Sequence, residues 1–204
     1  WVKILQTSLC YGLDPGSYPV NIGDSYFNGS YHGGSSYAVS KTAGELYLSL
    51  SGLNFISFRL ANVYGPRNFS GPIPAFYSNL INNTKSRICK TKRDFIYVGD
   101  VVSCIIKSLK KETLENYFNI STGFDIEISE IYKLLEKELG KSKPFDLLEK
   151  QSDDTSTILL DSSLTRQVFK WAPKTSLKEG IRKTILYYNK HGIDNTYTHL
   201  KLNK

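Results

Sequence analysis

With 204 residues, 40% of them hydrophobic, the chain can build one sizeable core or two small ones, and no apolar run approaches the roughly 20 residues of a membrane helix. The net charge of +7 comes from lysines spread along the sequence with a small cluster at Lys107, Lys110 and Lys111; no basic stripe interleaved with aromatics marks a nucleic-acid track. Cys10, Cys89 and Cys104 are too widely spaced for a disulfide framework or a metal motif, and no secretory pattern opens the sequence, so a cytoplasmic location without membrane or nucleic-acid partners is the expectation.

Val2–Thr7 is short, apolar and partly β-branched, which predicts a buried parallel strand. Residues 13–34 are rich in Gly, Pro, Ser and Asn and read as a long loop, with His32 near its end. A helix is predicted from Ser35 or Ser36 to about Ser51, stopped by Gly52, with Ala43, Leu46, Tyr47 and Leu50 on its buried face. Asn54–Leu60 is the next strand, so strand, helix and strand make a crossover in a parallel sheet. Beyond Pro66, a helix is expected over Ile73–Asn82 and a strand over Arg87–Lys90. A turn at Arg93-Asp94 and an apolar run, Phe95–Val98, come next. Asp100 is read as the cap of a helix over Val101–Lys110, and Tyr117–Ile120 as a further strand. Ser129–Leu139 is an amphipathic helix ended by Gly140, and Thr157–Leu160 a strand. Asp161 opens a short helix through Phe169 and Ser176 a long one to about Lys190.

Tyr37 and Lys41 stand four apart in the first helix, hence one turn from each other on one face. A phenol has an ordinary pKa of about 10, and a neighbouring ammonium favours its ionised form. The pair is a proton-transfer candidate, although among 14 tyrosines about one Tyr-x-x-x-Lys match arises by chance. Ligands of open parallel sheets sit beyond the carboxyl ends of the strands, where Thr7, Asn62 and the helix start all fall. Each has a plainer reading: Thr7 as a strand end, Asn62 as a turn residue bonded to its own backbone, Arg93 as a surface partner of Asp94 or Asp100. Trp171 reads as core.

Five segments in order resemble the extended short-chain dehydrogenase/reductase family of nucleotide-sugar epimerases and dehydratases. They are Thr7–Gly12, Tyr37-Ala-Val-Ser-Lys41, Phe58-Arg-Leu-Ala-Asn-Val-Tyr-Gly-Pro-Arg67, Arg93-Asp-Phe-Ile-Tyr-Val-Gly-Asp100 and Trp171–Gly180. The resemblance covers essentially the whole chain and implies an α/β fold: a partial Rossmann-type parallel sheet with a smaller C-terminal α/β substrate-binding domain. Residues 1–63 would belong to the NAD-binding domain and 64–204 mainly to the substrate domain, with a strand near 117–121 returning to the sheet. It further implies NAD as cofactor and a nucleotide-diphosphate sugar as substrate. Tyr37 would be the general base and acid, and Lys41 would lower its pKa and hold the cofactor ribose. Thr7 would bind the sugar oxygen being oxidised, Asn62 the nucleotide-sugar and Arg93 its diphosphate. A homodimer through the Tyr37 helix is compatible with the family.

Three departures shape the expectation. The family's dehydratases carry an acid after the threonine, where this chain has Ser8 and Leu9, so redox epimerisation, with C4 as the carbon, is favoured over 4,6-dehydration or decarboxylation. Gln151, followed by Asp153 and Asp154, stands where a second diphosphate arginine often lies. The glycine-rich turn that holds the cofactor pyrophosphate has no counterpart, and the chain starts at Trp1 without any methionine. The expectation is therefore a fragment lacking roughly a hundred preceding residues, inactive alone. A non-catalytic nucleotide-sugar binding protein is the alternative from another class.

Overall fold

The computed structural model describes residues 4–8, 36–149 and 157–193, with backbone alone at 4–8, 36–39 and 158. The elements in chain order are β1 (Ile4–Ser8), α1 (Ser36–Leu50), β2 (Phe55–Leu60), β3 (Asn62–Tyr64), α2 (Pro72–Ile81), β4 (Ser86–Cys89), β5 (Lys92–Tyr97) and α3 (Val98–Leu109). They continue with β6 (Tyr117–Ile120), β7 (Asp125–Glu127), α4 (Ile128–Leu139), β8 (Phe145–Leu148), β9 (Thr157–Ile158), α5 (Ser163–Phe169) and α6 (Leu177–His191). Among the described residues no helix is long and apolar enough to cross a membrane. The fold is mixed α/β with parallel sheets.

One region is a three-stranded parallel sheet ordered β1-β2-β6, with Thr7 opposite Phe58 and Phe58 opposite Phe118. β2 is buried along almost its whole length, as expected for a strand covered on both faces. Its alternation separates two chemistries. Ile56 and Phe58 join Val101 and Cys104 of α3, Phe118 of β6 and Phe169 of α5 in one apolar cluster. Ser57 and Arg59, on the opposite face, bond to α1. Two lysines of the cluster seen in the sequence serve this region: Lys107 and Lys111 donate to the carbonyls of Lys170 and Val168 at the end of α5, where positive charge is favoured.

The second region is built on β5, which pairs with β3 in parallel at its end, and with β7 antiparallel and β9 parallel at its start. Helices α2, α4 and α6 pack their apolar stripes into one core; Ile131, Tyr132 and Leu135 of α4 are fully buried there. β4 and β8 form a separate parallel pair. The helix ends follow local chemistry: Pro72 starts α2, Ser176 Oγ accepts from the Glu179 amide at the start of α6, and Gly52 and Gly140 carry φ of 68° and 62° beyond α1 and α4.

Three expectations are corrected. The face of α1 bearing Leu46, Tyr47 and Leu50 is exposed by 49%, 76% and 83%, and Ala43 is only half-buried; the sheet-facing side is instead the one carrying Glu45, held by polar bonds. Arg93 and Asp94 form no turn but lie buried inside β5, because Asp94 finds its hydrogen-bond partners in the remote segment Thr122-Gly123. Asp100 does not cap α3, which starts earlier at Val98; its carboxylate accepts from the amides of Lys174 and Thr175 and so ties the start of the last helical segment to α3. The short strands β3, β7 and β8 were not expected at all.

Candidate active site

The path from β1 to β3 sets the site. Thr7 is the fourth residue of β1, and Tyr37 the second residue of α1, which returns the chain to β2. β2 ends at Leu60, Ala61 still donates its amide to the Ile120 carbonyl of β6 at 2.9 Å, and Asn62 is the residue at which the chain leaves the parallel sheet for β3. Lys41 is half-buried.

Helix α1 is keyed to β2 by a buried ion pair. Arg59 Nη2 donates to Glu45 Oε2 at 2.9 Å and Arg59 Nε to Oε1 at 3.2 Å, while Ser57 Oγ donates to Oε1 at 2.9 Å. Glu45 and Arg59 are 4% and 6% exposed and Ser57 is fully buried. The guanidinium also lies 5.4 Å from the centroid of the Tyr117 ring on β6. The planar fork of arginine suits this two-point contact.

Asn62 and Arg93 lie on the neighbouring strands β3 and β5. Asn62 is opposite Phe95, and its Nδ2 donates to the Asp94 carbonyl at 3.1 Å rather than to its own turn. Arg93 is buried, with Nη1 donating to the Lys92 carbonyl at 2.7 Å. Behind them Asp94 Oδ1 accepts from the Thr122 amide at 3.1 Å and hydroxyl at 2.6 Å, and Oδ2 from the Gly123 amide at 2.9 Å. Burial pushes the Asp94 carboxyl up, against these bonds and the nearby Arg166 guanidinium, which pull it down. Arg166 in turn donates to the Thr122 carbonyl at 2.6 Å, fixing the turn.

Several alternatives are set aside by their surroundings. Burial pushes the phenols of Tyr64 and Tyr188 up, the wrong direction for a base. Burial likewise drives the Cys104 thiol up to about 12, so it is no nucleophile. Trp171 is core, its Nε1 donating to Ser103 Oγ at 2.9 Å. His32, Gln151, Asp153, Asp154, Cys10 and the 13–34 segment lie outside the described residues. Glu45, Ser57 and Arg59 had no role in the sequence reading; the available signal was the alternation of Ser57 and Arg59 with apolar neighbours in β2 and a glutamate one turn after Lys41.

A model of the NAD dependent epimerase/dehydratase family matches residues 3–121. The chain belongs to that family. It is 28% identical over 200 residues to a UDP-glucose 4-epimerase of Mycolicibacterium smegmatis, a match covering 91% of this chain and 62% of that one. It is 31% identical over 162 residues to a dTDP-4-dehydro-6-deoxyglucose reductase of Escherichia coli, covering 74% and 51%. Among solved structures, the Bordetella bronchiseptica enzyme WbmG, crystallised with NAD and UDP, superposes with a TM-score of 0.83 at 34% identity, covering 96% of this chain and 62% of that one. The chain thus spans between 51% and 62% of the length of these relatives. An epimerase and a reductase are both among them, so kinship alone does not choose the reaction.

Proposed function

We propose that the protein epimerises a nucleotide-diphosphate sugar, at C4, through a keto-sugar, with NAD as cofactor. The observation that carries the reading is the parallel β1-α1-β2 unit with its exit at Asn62: it brings the backbone of Thr7, the first turns of α1 and Asn62 into one crossover, at the strand ends where parallel sheets take ligands. Lys41, half-buried in α1, fits the ribose end of the cofactor, and Tyr37 would share that contact. Bound there, NAD supplies the hydride acceptor and donor for the sugar carbon.

The chain's own groups supply the rest. Tyr37 takes the proton from the sugar hydroxyl and later returns it, its phenolate favoured by the Lys41 ammonium. Thr7 holds the reacting oxygen. Asn62 and Arg93 hold the nucleotide and diphosphate, so the sugar ring is the part left to turn between proton removal and proton return. Ser8 and Leu9 offer no acid for removing water, which sets dehydration second. The reading places the enzyme in the cytoplasm, supplying sugars for surface polysaccharide, and the exposed apolar face of α1 at Leu46, Tyr47 and Leu50 at the contact of a homodimer.

In the full-length gene product, with UDP-glucose and NAD as probes, Tyr37→Phe is expected to lower turnover by about a hundredfold or more without changing the melting temperature. Near-normal turnover in that variant would sink the assignment. Wild-type protein that binds the nucleotide-sugar but exchanges no hydrogen isotope at any sugar carbon would show a binding protein instead.

A further inference from the structure

We infer that Glu45, Arg59 and Ser57 form a positioning clasp that sets the rotation of α1 on the parallel sheet and thereby holds Lys41 and Tyr37 in place; the inference rests on the proposed roles of that pair. With 3.6 residues per turn, Lys41 lies about 40° and Tyr37 about 80° around the axis from Glu45, one and two turns earlier. Leu46, Tyr47 and Leu50 lie about 100° to 160° away from Glu45, and all three are exposed. Those three lie on the side of α1 turned away from the sheet, the side proposed above as the homodimer contact, and the side turned to the sheet carries a carboxylate.

What joins that side of α1 to the sheet is the clasp. Two nitrogens of Arg59 and the hydroxyl of Ser57 converge on one carboxylate, all three residues buried. The strand side is fixed in turn: Arg59 is opposite Ser8 of β1 and Asn119 of β6, with its guanidinium beside the Tyr117 ring. A buried ion pair contributes little net stability, and its best-supported use is to select one arrangement over others. Here the arrangement selected is the one that puts the Lys41 side of α1 against the sheet.

The test reads the Tyr37 phenol directly. In full-length protein labelled with 13C at the tyrosine ring, the Tyr37 signal is assigned by its loss in Tyr37→Phe and titrated by NMR in wild type, Glu45→Gln and Arg59→Lys. Wild type is expected to titrate well below the ordinary value of about 10. Glu45→Gln is expected to raise the proton affinity of the phenol about tenfold or more, because Lys41 is no longer held; Arg59→Lys, which keeps the charge but loses the fork, should raise it less. The sign is diagnostic. Deleting the carboxylate charge without moving the helix would only remove a negative charge and lower the proton affinity. A low wild-type value that stays put or falls in the variants overturns the clasp and leaves the catalytic reading standing. A wild-type value near 10 overturns both. Should Glu45→Gln fail to fold, Arg59→Lys decides, and an unmoved Tyr37 in that variant overturns the clasp.

Discussion

Around β2, helix α1 meets the sheet through a carboxylate, a guanidinium and a hydroxyl, and turns Leu46, Tyr47 and Leu50 outward. Around β5, helices α2, α4 and α6 meet through Phe76, Tyr132, Leu135, Ile181 and Tyr188, all buried, and none of their charged residues is buried. The second arrangement is what burial of apolar area produces unaided. The first joins helix and sheet through specific polar bonds, and it occurs on the helix that carries the candidate proton-transfer pair. The contrast lies in one face: β2 packs its other side into an apolar cluster of its own, but the side that meets α1 is held by charge, whereas the helices around β5 are held by volume.

The largest effect should come from breaking the charge device halfway. Glu45→Gln leaves the Arg59 cation buried without its carboxylate and is expected to cost about 3–5 kcal/mol, read as a fall in the urea midpoint. A loss under about 1 kcal/mol, as for exposed pairs, would mean that water reaches Arg59 and that the ion pair holds α1 no more firmly than a surface pair would. Somewhat smaller is Leu135→Ala in the β5 core, where the side chain is fully buried. Removing its methyl groups leaves a cavity and is expected to cost about 2–5 kcal/mol in the same measurement, while turnover at a temperature well below melting stays near wild type. A large loss of turnover at unchanged stability would show that this core also aims catalytic groups.

The same contrast explains what the sequence disclosed. The helices of the β5 region were legible because their apolar stripes repeat at the helical period and end in glycine or begin in serine: Gly140 after α4, Ser176 before α6. Strands β2 and β6 were legible as apolar runs. Helix α1 was found with both its ends, yet its buried face was read from the same apolar rule and came out reversed, since nothing local announces that Glu45 will meet Arg59 fourteen residues on. Arg93-Asp94 read as a turn for a similar reason: its polarity is satisfied by Asn62 and by Thr122-Gly123, partners visible only in the fold. Strands of three residues, β3 and β7, carry too few positions for any period to show. Of the candidate site, residue types and order were legible. The link between them was not: the chain passes straight from β2 through Ala61 to Asn62, and the clasp that holds α1 lies one turn beyond Lys41.

The smallest expected change in stability is the sharpest probe of the comparison. Replacing the whole clasp with apolar groups, Glu45→Leu with Arg59→Met and Ser57→Ala, removes the two buried charges and the Ser57 hydroxyl together. Buried pairs replaced in this way are often neutral or stabilising by about 1–4 kcal/mol, so the triple variant should melt at or above the wild-type temperature although each polar contact is gone. Turnover should nevertheless fall, and the Tyr37 phenol should return toward its ordinary proton affinity, because no directional bond then fixes the angle of α1 on β2 one turn from Lys41. Were the triple variant as unstable as Glu45→Gln, the clasp would be a net stabiliser and both regions would be held by energy of the same kind. Were it stable and fully active, apolar shape alone would aim the helix. Only the combination of kept stability with lost turnover assigns stability and placement to different interactions, and it does so whatever the substrate.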